Sequence, residues 1–519
     1  MDVSTRPFAD EPLVADLSRP ENLPGEARRV EFLFTHGSFV FRTPRDVYKV
    51  KRAKDYGFFD YSTLAAREHF CEEELRLNRR TAPEVYLDVL PVTLDAQGHC
   101  IDGAAHGRPG ETVDWAVHMT TLPDEQSALW LLRAGRLGAA ELSAAAAQLS
   151  RFYAEANRHT ADPDAMRTNL EENFDQARPY VGRFIDQELF DDIRDGQLSW
   201  LEENTDLLAV RSPRDGHGDL RLEHLYLMPS GPVVIDCIEF LDRFRIADPA
   251  LDVAFLAMDL CRESRADLAE HLIARFAYES DDYDLYPLID GYVSYRAFVR
   301  AKVACFVAAD EGTDAVTAER KAGETLAMFA LARDALSLPR PAPRVVAVGG
   351  PIASGKTTLA EALAERDGMA HVSADATRKH LGGLAHDERG DEALYTDAFT
   401  EHTMNELLRR AEQVLLSGRG VVIDTTFRSR SLRERAHALA DKHRAAFLMV
   451  ECRVPEDLQR ERLRARTGGV SDAREELLDR FAPDTGPDAG PIDELPPSQH
   501  LVLDTSGPLD GLIAAVPPA

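Results

Sequence analysis

The sequence predicts a mixed α+β unit of two lobes, followed by an α/β unit built on a parallel sheet. Three observations lead there. Short β-rich runs separated by turn residues fill the first part of the chain, helical periodicity dominates the middle, and strands alternate with helices beyond a proline-rich stretch at 337–344. The length of 519 residues is too great for one ordinary core. Compact domains hold roughly 100–200 residues, so about three units are expected, two of which can be lobes of one enzyme.

In chain order, VEFLFTHGSFVFRTPRDVYKVK reads as a meander of strands at 30–35, 39–42 and 47–51, joined by turns at His36-Gly37-Ser38 and Thr43-Pro44-Arg45-Asp46. Segment 62–80 carries Leu64, Phe70, Leu75 and Leu77 among charges behind a serine, which predicts a helix capped by Ser62. VYLDVLPVTL and ETVDWAVHMTTLP add two strands, the second running into Pro123, and 124–210 reads as mostly helical. GPVVIDCIEFLD reads as a buried strand, with helices from there to 336. Pro339, Pro341 and Pro343 then prevent helix continuation and favour an extended spacer. The expected boundaries are 1–122 and 123–336 for the two lobes, 337–344 for the linker and 345–519 for the last unit. There RVVAVGG, AHVSAD, GVVIDTT and AFLMVECRV are strands with helices between them, a pattern that covers both faces of a parallel sheet.

Composition narrows the partners. A net charge of -29 argues against general nucleic-acid or anionic-membrane binding, and suits an acidic solvated surface or a cationic small substrate. The six cysteines show no CxxC pair and no metal-ligand spacing, so neither a disulfide framework nor a zinc site is implied, and a reducing compartment fits. No apolar run approaches the roughly 18 residues of a membrane span, and the amino terminus lacks a basic region followed by an apolar one. The expectation is a cytoplasmic protein; its oligomeric state is not encoded in any recognisable pattern.

The densest motif is Gly350-Pro351-Ile352-Ala353-Ser354-Gly355-Lys356-Thr357, set between a valine-rich strand and a helical run, the full context of a Walker A loop. Backbone N–H groups of Gly350, Ala353, Ser354, Gly355 and the helix start, Thr358 included, are expected to face phosphates. Lys356 reaches the β and γ oxygens, and the Thr357 hydroxyl binds Mg2+. The expected cofactors are therefore ATP and Mg2+. In VSADATRK, Asp375 is placed to accept a proton from a substrate hydroxyl, with Arg378 one turn later to hold an anion; the competing role for Asp375 is a helix cap. Asp424 ends the strand GVVIDTT as an Mg2+ or water ligand. Arg462 and Arg466 form an i, i+4 pair that reads either as a phosphate lid or as a solvated basic face.

A second phosphotransfer pattern lies upstream. In HGDLRLEH, Asp219 is followed by Asp236 at a strand end, a loop carboxylate to orient an acceptor hydroxyl and a strand carboxylate to hold Mg2+. Arg221 stands where a γ-phosphate cation is expected. His224 occupies the last position of an H-x-D-x-x-x-x-N pattern, where a metal ligand belongs, although imidazole is a poor donor for Mg2+ and Glu223 or Glu239 offer oxygen instead. Lys49 and Lys51 share one face of their strand; Lys49 is the expected nucleotide lysine, and Glu72, with Glu68 one turn away, its expected helix partner.

Residues from 344 onward resemble the small P-loop kinases grouped with gluconate kinase, polynucleotide kinase and zeta toxin. That resemblance implies a base role for Asp375 and hydroxyl acceptors on sugars, nucleotides or nucleotide sugars. HGDL, IDCIEF and DPALDVAFLAMDL resemble the aminoglycoside phosphotransferase and choline kinase branch of the protein-kinase-like fold, with Asp248 and Asp252 orienting the catalytic loop or capping a helix. A departure is the missing GxGxxG loop, since the hairpin offers only Gly37. Together the halves resemble fused bifunctional aminoglycoside phosphotransferase-like and ATP-binding proteins. The implied function is phosphate transfer from ATP to a small-molecule hydroxyl, with sequential phosphorylation of one metabolite and antibiotic modification among the possibilities. The alternative is an amino-terminal half that acts as a catalytically weak ligand-sensing module regulating a P-loop kinase or NTPase.

Overall fold

The structure, a computed structural model, describes residues 11–518 apart from 26–27, 36, 56, 58–59, 163, 311–312, 314, 338 and 466–489. Two compact units comprise Met1–Gln187, Leu208–Asp259 and Phe298–Met328 on one hand, and Glu188–Leu207, Leu260–Ala297 and Phe329–Ala519 on the other. Segment 260–297 thus packs with the carboxy-terminal sheet, a grouping that segmentation at the prolines does not anticipate. Residues 339–343 carry neither helix nor strand.

In the first unit, β1 (Glu31–Phe34), β2 (Ser38–Arg42), β3 (Asp46–Lys51), β4 (Tyr86–Asp95), β5 (Gly98–Ile101) and β6 (Glu111–Thr120) form an antiparallel sheet in the order β1-β2-β3-β6-β4-β5. The expected meander is present as β1 to β3; His36 lies outside the described residues. Strand alternation sends Tyr48 and Val50 into a core with Phe39, Phe41 and Val92, which leaves Lys49 and Lys51 on the opposite face. That face meets helix Leu64–Asn78. Its cap is Thr63, whose hydroxyl accepts from the Ala66 amide at 3.2 Å, one residue beyond the expected Ser62. Arg67 Nε donates to Asp114 Oδ1 at 2.8 Å and fixes the rotation of the helix, so that Arg67, Cys71, Glu74 and Asn78 form the buried stripe.

The carboxylate loops follow from short pairings. β7 (Arg214–Asp215) pairs with β10 (Ile246–Ala247), and β8 (Leu225–Met228) with β9 (Gly231–Val234), so residues 216–224 and 235–241 become the loops that leave these ladders. Helix Pro249–Arg262 packs beneath them through an almost wholly buried face.

In the second unit, β11 (Arg344–Gly349), β12 (Ala370–Ser373), β13 (Val421–Asp424), β14 (Ala446–Arg453) and β15 (His500–Asp504) form a parallel sheet in the order β12-β13-β11-β14-β15. Val346, Val348, Leu359, Leu363, Val422 and Val450 make its core, as expected for strands covered on both faces. β15 is an edge strand absent from the sequence expectation. Chain connections run to opposite sides from β11, which opens a crevice at its carboxyl end. The architecture is an α+β part built on a six-stranded antiparallel sheet, followed by an α/β part built on a five-stranded parallel sheet. All six cysteines are free thiols, and among the described residues no helix is long and apolar enough to cross a membrane.

Candidate functional site

At the crevice, the chain leaves β11 through a loop whose shape depends on glycine. Gly350 has φ 149° and Gly355, the residue before helix Lys356–Asp367, has φ 81°. A Cβ at position 350 would stand 2.5 Å from the Cys452 carbonyl oxygen and 2.9 Å from Ser354 Oγ, so this glycine lets the loop lie against β14. The loop is tied down from outside. The Thr505 hydroxyl donates to the Ser354 carbonyl at 2.6 Å, and Arg462 donates to the carbonyls of Ala353 at 3.2 Å and Thr505 at 2.6 Å. Lys356 Nζ donates to the Pro351 carbonyl at 3.4 Å.

A cavity of ≈ 740 Å³ opens over this loop, and Lys356, Thr357, Asp375, Arg378, Asp424 and Arg462 all line it. Ala353, Gly355 and Thr358 line it as well, whereas Gly350 and the fully buried Ser354 shape the loop from behind. Asp375 is not a cap: Ser373 holds the N-cap position, and Asp375 sits in the first turn of helix Ala374–Leu381. Arg378 stacks its guanidinium 4.9 Å over the Tyr395 ring and donates to the Leu394 carbonyl and, at 3.2 Å, to Thr400 Oγ1. Arg466 lies outside the described residues, so the lid pair is represented here by Arg462 alone.

Asp424 ends β13 in a buried position with Oδ1 lacking any hydrogen-bond partner. Burial pushes its carboxyl up, but the His371 imidazole 3.7 Å away, the Lys356 charge and the Thr357 hydroxyl outweigh that and hold it below the usual carboxylate range. An ionised, unpartnered carboxylate oxygen next to a threonine hydroxyl is a hard-oxygen donor set that fits Mg2+. Among the described residues no group of three or more His, Cys, Asp or Glu side chains is arranged to hold a metal ion. Mg2+ sites commonly take one or two protein ligands and complete the shell with phosphate and water.

The upstream residues converge within the first unit. Lys49 Nζ donates to Glu74 Oε1 at 2.8 Å and to Asp236 Oδ1 at 2.6 Å, while Lys51 Nζ donates to Glu74 Oε2 at 2.8 Å and to Glu239. The Tyr61 hydroxyl donates to the same Glu239 carboxylate at 2.7 Å. Burial works against the Lys49 ammonium, yet Asp236, Glu74 and Glu239 hold it well above the ordinary lysine value. Asp236 takes φ 66° and is held below the usual carboxylate range by Lys49 and His224 against the effect of burial. Glu74, and not Glu72, is the helix partner of Lys49: it lies on the buried stripe with Cys71, whereas Glu72 is exposed on the far side of the helix.

Asp219 is half-buried at the loop that Asp252 organises. Asp252 accepts from the amides of His217 at 2.9 Å and Gly218 at 3.0 Å and from the Tyr153 hydroxyl at 2.8 Å. Asp248 pairs instead with Arg211 at 2.6 Å and accepts from the Ala250 amide at 3.0 Å at its helix start. The two roles left open in sequence are thus divided between the two residues. His224 Nδ1 lies 2.8 Å from the Asp219 carbonyl oxygen, and Nε2 faces Asp236 Oδ2 at 3.6 Å and Glu223 Oε1 at 3.7 Å. The imidazole therefore bridges the two carboxylate loops. Arg221 corrects the expectation of a γ-phosphate cation: between the buried Leu220 and Leu222, it is itself buried, donates to Glu223 and faces Asp259.

A family model described as an AAA domain matches residues 345–483. A protein of Mycobacterium tuberculosis described as "Uncharacterized protein Rv2004c" is 30% identical over 461 residues, covering 86% of this chain and 88% of its own. Among solved structures, a choline/ethanolamine kinase family protein from Mesorhizobium loti aligns at TM-score 0.37 and 13% identity, over 64% of this chain and 97% of its own. A gluconokinase from Sinorhizobium meliloti aligns at TM-score 0.25 and 22% identity, over 34% and 90%.

Proposed function

We propose, of a chain that belongs to the family of the mycobacterial protein, that its P-loop site transfers the γ-phosphate of ATP to a hydroxyl group of a small molecule. The observation that carries this reading is the convergence of Lys356, Thr357, Asp375 and Asp424 on one cavity above a glycine-shaped loop. Bound through Thr357 and Asp424, Mg2+ would supply charge neutralisation at the phosphates. Lys356 binds the β and γ oxygens from the start of its helix, where backbone amides add favourable dipoles. Asp375 accepts the proton of the acceptor hydroxyl as its oxygen forms the new bond to phosphorus, while the bond from phosphorus to the oxygen bridging to ADP breaks.

The upstream site is proposed as a second phosphotransfer centre, with Asp219 orienting an acceptor, Asp236 as the metal carboxylate and Lys49, fixed by Glu74, as the nucleotide cation. Segments 1–122 and 123–336 are its proposed lobes, although 188–207, 260–297 and 329–336 group with the second unit. The test is phosphorylation of a metabolite extract, read by mass spectrometry, with the parent protein, Lys356→Ala and Asp219→Ala. Loss of a product with Lys356→Ala supports the P-loop reading, and unchanged products with that variant sink it.

A further inference from the structure

His371 in β12 is buried, and neither of its ring nitrogens has a hydrogen-bond partner. Buried polar groups are nearly always paired, so an imidazole left open on both sides calls for an explanation. Its Nε2 stands 3.7 Å from Asp424 Oδ2, and the other oxygen of that carboxylate is also unpartnered. The separation exceeds a hydrogen bond by roughly half an ångström, within reach of a small side-chain rotation.

The ring is held by residues that precede it in the chain by about ninety positions. Tyr278, in helix Ala266–Ser280, stacks on His371 with centroids 5.4 Å apart and planes 10° from parallel. The Tyr283 hydroxyl donates to the His371 carbonyl at 2.6 Å. Between these two tyrosines, Asp281 accepts from Arg410 at 2.8 Å and from His386 at 2.9 Å, which pins the turn to helix Asp397–Leu416 and to the segment that follows helix Ala374–Leu381. The Tyr278 hydroxyl is buried without a partner, so its ring face is the part in use.

We infer that His371 is a positioning residue that steadies one oxygen of Asp424 so that the other stays available to a nucleotide-bound divalent cation, and that Tyr278 fixes the His371 ring for this task. The inference rests on the phosphotransferase reading of the P-loop site. Groups that orient a metal-binding side chain from behind commonly contribute 10- to 100-fold to metal affinity. The same range, about 10- to 100-fold, is expected in the Mg2+ concentration that His371→Leu needs for tight nucleotide binding.

The experiment titrates a fluorescent, non-hydrolysable ATP analogue against the full chain, with Mg2+ varied and with EDTA. His371→Leu should weaken the Mg2+-dependent binding and leave the EDTA value unchanged. His371→Gln, which restores an N–H near the position of Nε2, should recover most of it. Tyr278→Ala should lose several-fold and Tyr278→Phe nothing, and these variants carry the test if His371→Leu does not fold. Unaltered Mg2+ dependence in His371→Leu and Tyr278→Ala overturns the inference, as does an equal loss with and without Mg2+. If the parent protein itself shows no Mg2+-enhanced binding, the reading of the site falls first and the inference goes with it.

Discussion

Gly350→Ala tests the loop geometry directly. Its φ of 149° lies where a side chain is strained, which costs about 1–2 kcal/mol. The new methyl would also meet the Cys452 carbonyl oxygen at 2.5 Å. That carbonyl cannot move aside easily, because Cys452 belongs to a strand paired on both sides, to β11 and to β15. Overpacking against a fixed wall adds another 1–2 kcal/mol or so, for a total of about 3 kcal/mol. The free loop escapes by shifting away from β14, and a nucleotide must then restore the cradle at its own expense. Affinity for an ATP analogue should therefore fall about 100-fold, at about 1.4 kcal/mol per tenfold. Gly368→Ala is the control: φ is 61° but no atom lies within 4 Å, so roughly 1 kcal/mol of stability should be lost with nucleotide affinity intact. Calorimetric titration together with thermal melting reads both quantities. Parent-like affinity and melting temperature in Gly350→Ala would refute the reasoning.

Two further outcomes follow from the first unit. Glu74→Ala removes a carboxylate that pairs with both Lys49 and Lys51, and should destabilise by about 3–5 kcal/mol, whereas the exposed Glu72→Ala should stay within about 0.5 kcal/mol; urea unfolding decides, and the opposite ranking would place the lysine partner wrongly. Burial pushes the His217 imidazole down from 6.5 to about 4, so between those values the unfolded chain binds a proton that the folded chain refuses, and stability must fall as pH drops through that window. The loss approaches about 3 kcal/mol by pH 4 and is absent above pH 7; urea midpoints from pH 7 to 4.5 should fall more gently in His217→Gln, and parallel curves for the two proteins would exclude His217 as the cause.

Legibility in the sequence followed how local each feature is. The P-loop was readable because strand, glycine loop, lysine and helix occupy consecutive positions, and each residue type answers to a constraint inside that stretch. Glu74 was hidden for the opposite reason. Its helix buries Arg67, Glu74 and Asn78 alongside Cys71 and Leu77, so the inward stripe is largely polar and no apolar periodicity marks it. Arg221 reads as a phosphate cation from its charge and its place two residues past Asp219, and only the fold reveals Asp259 and Glu223 around it. β15 escaped notice as a short edge strand, far along the chain from β14, its neighbour in the sheet. His371 carries no sequence signal at all; its interest arises from Tyr278 and Asp424, neither of which is near it in the chain.

The proline stretch gives the plainest case of what punctuation can and cannot say. Prolines at alternate positions end a helix, and the chain does lack regular structure there. They do not determine what the next sheet packs against. Arg419, buried just before β13, donates to Glu270 at 2.6 and 3.0 Å and to Asp290 at 2.7 and 3.1 Å, and Arg340 reaches the same two carboxylates at 3.1 and 2.9 Å. Such a network is weak support for stability, since desolvating the charges offsets much of their attraction, but each partner left alone would be a poorly solvated charge. Its physical consequence is selectivity of packing: the P-loop sheet packs against the helices that carry Glu270, Asp290 and Tyr278. The strand that holds His371 and the helix that holds Asp375 are adjacent to that surface, so the chemistry at Asp424 depends on residues that a boundary drawn at the prolines would assign elsewhere.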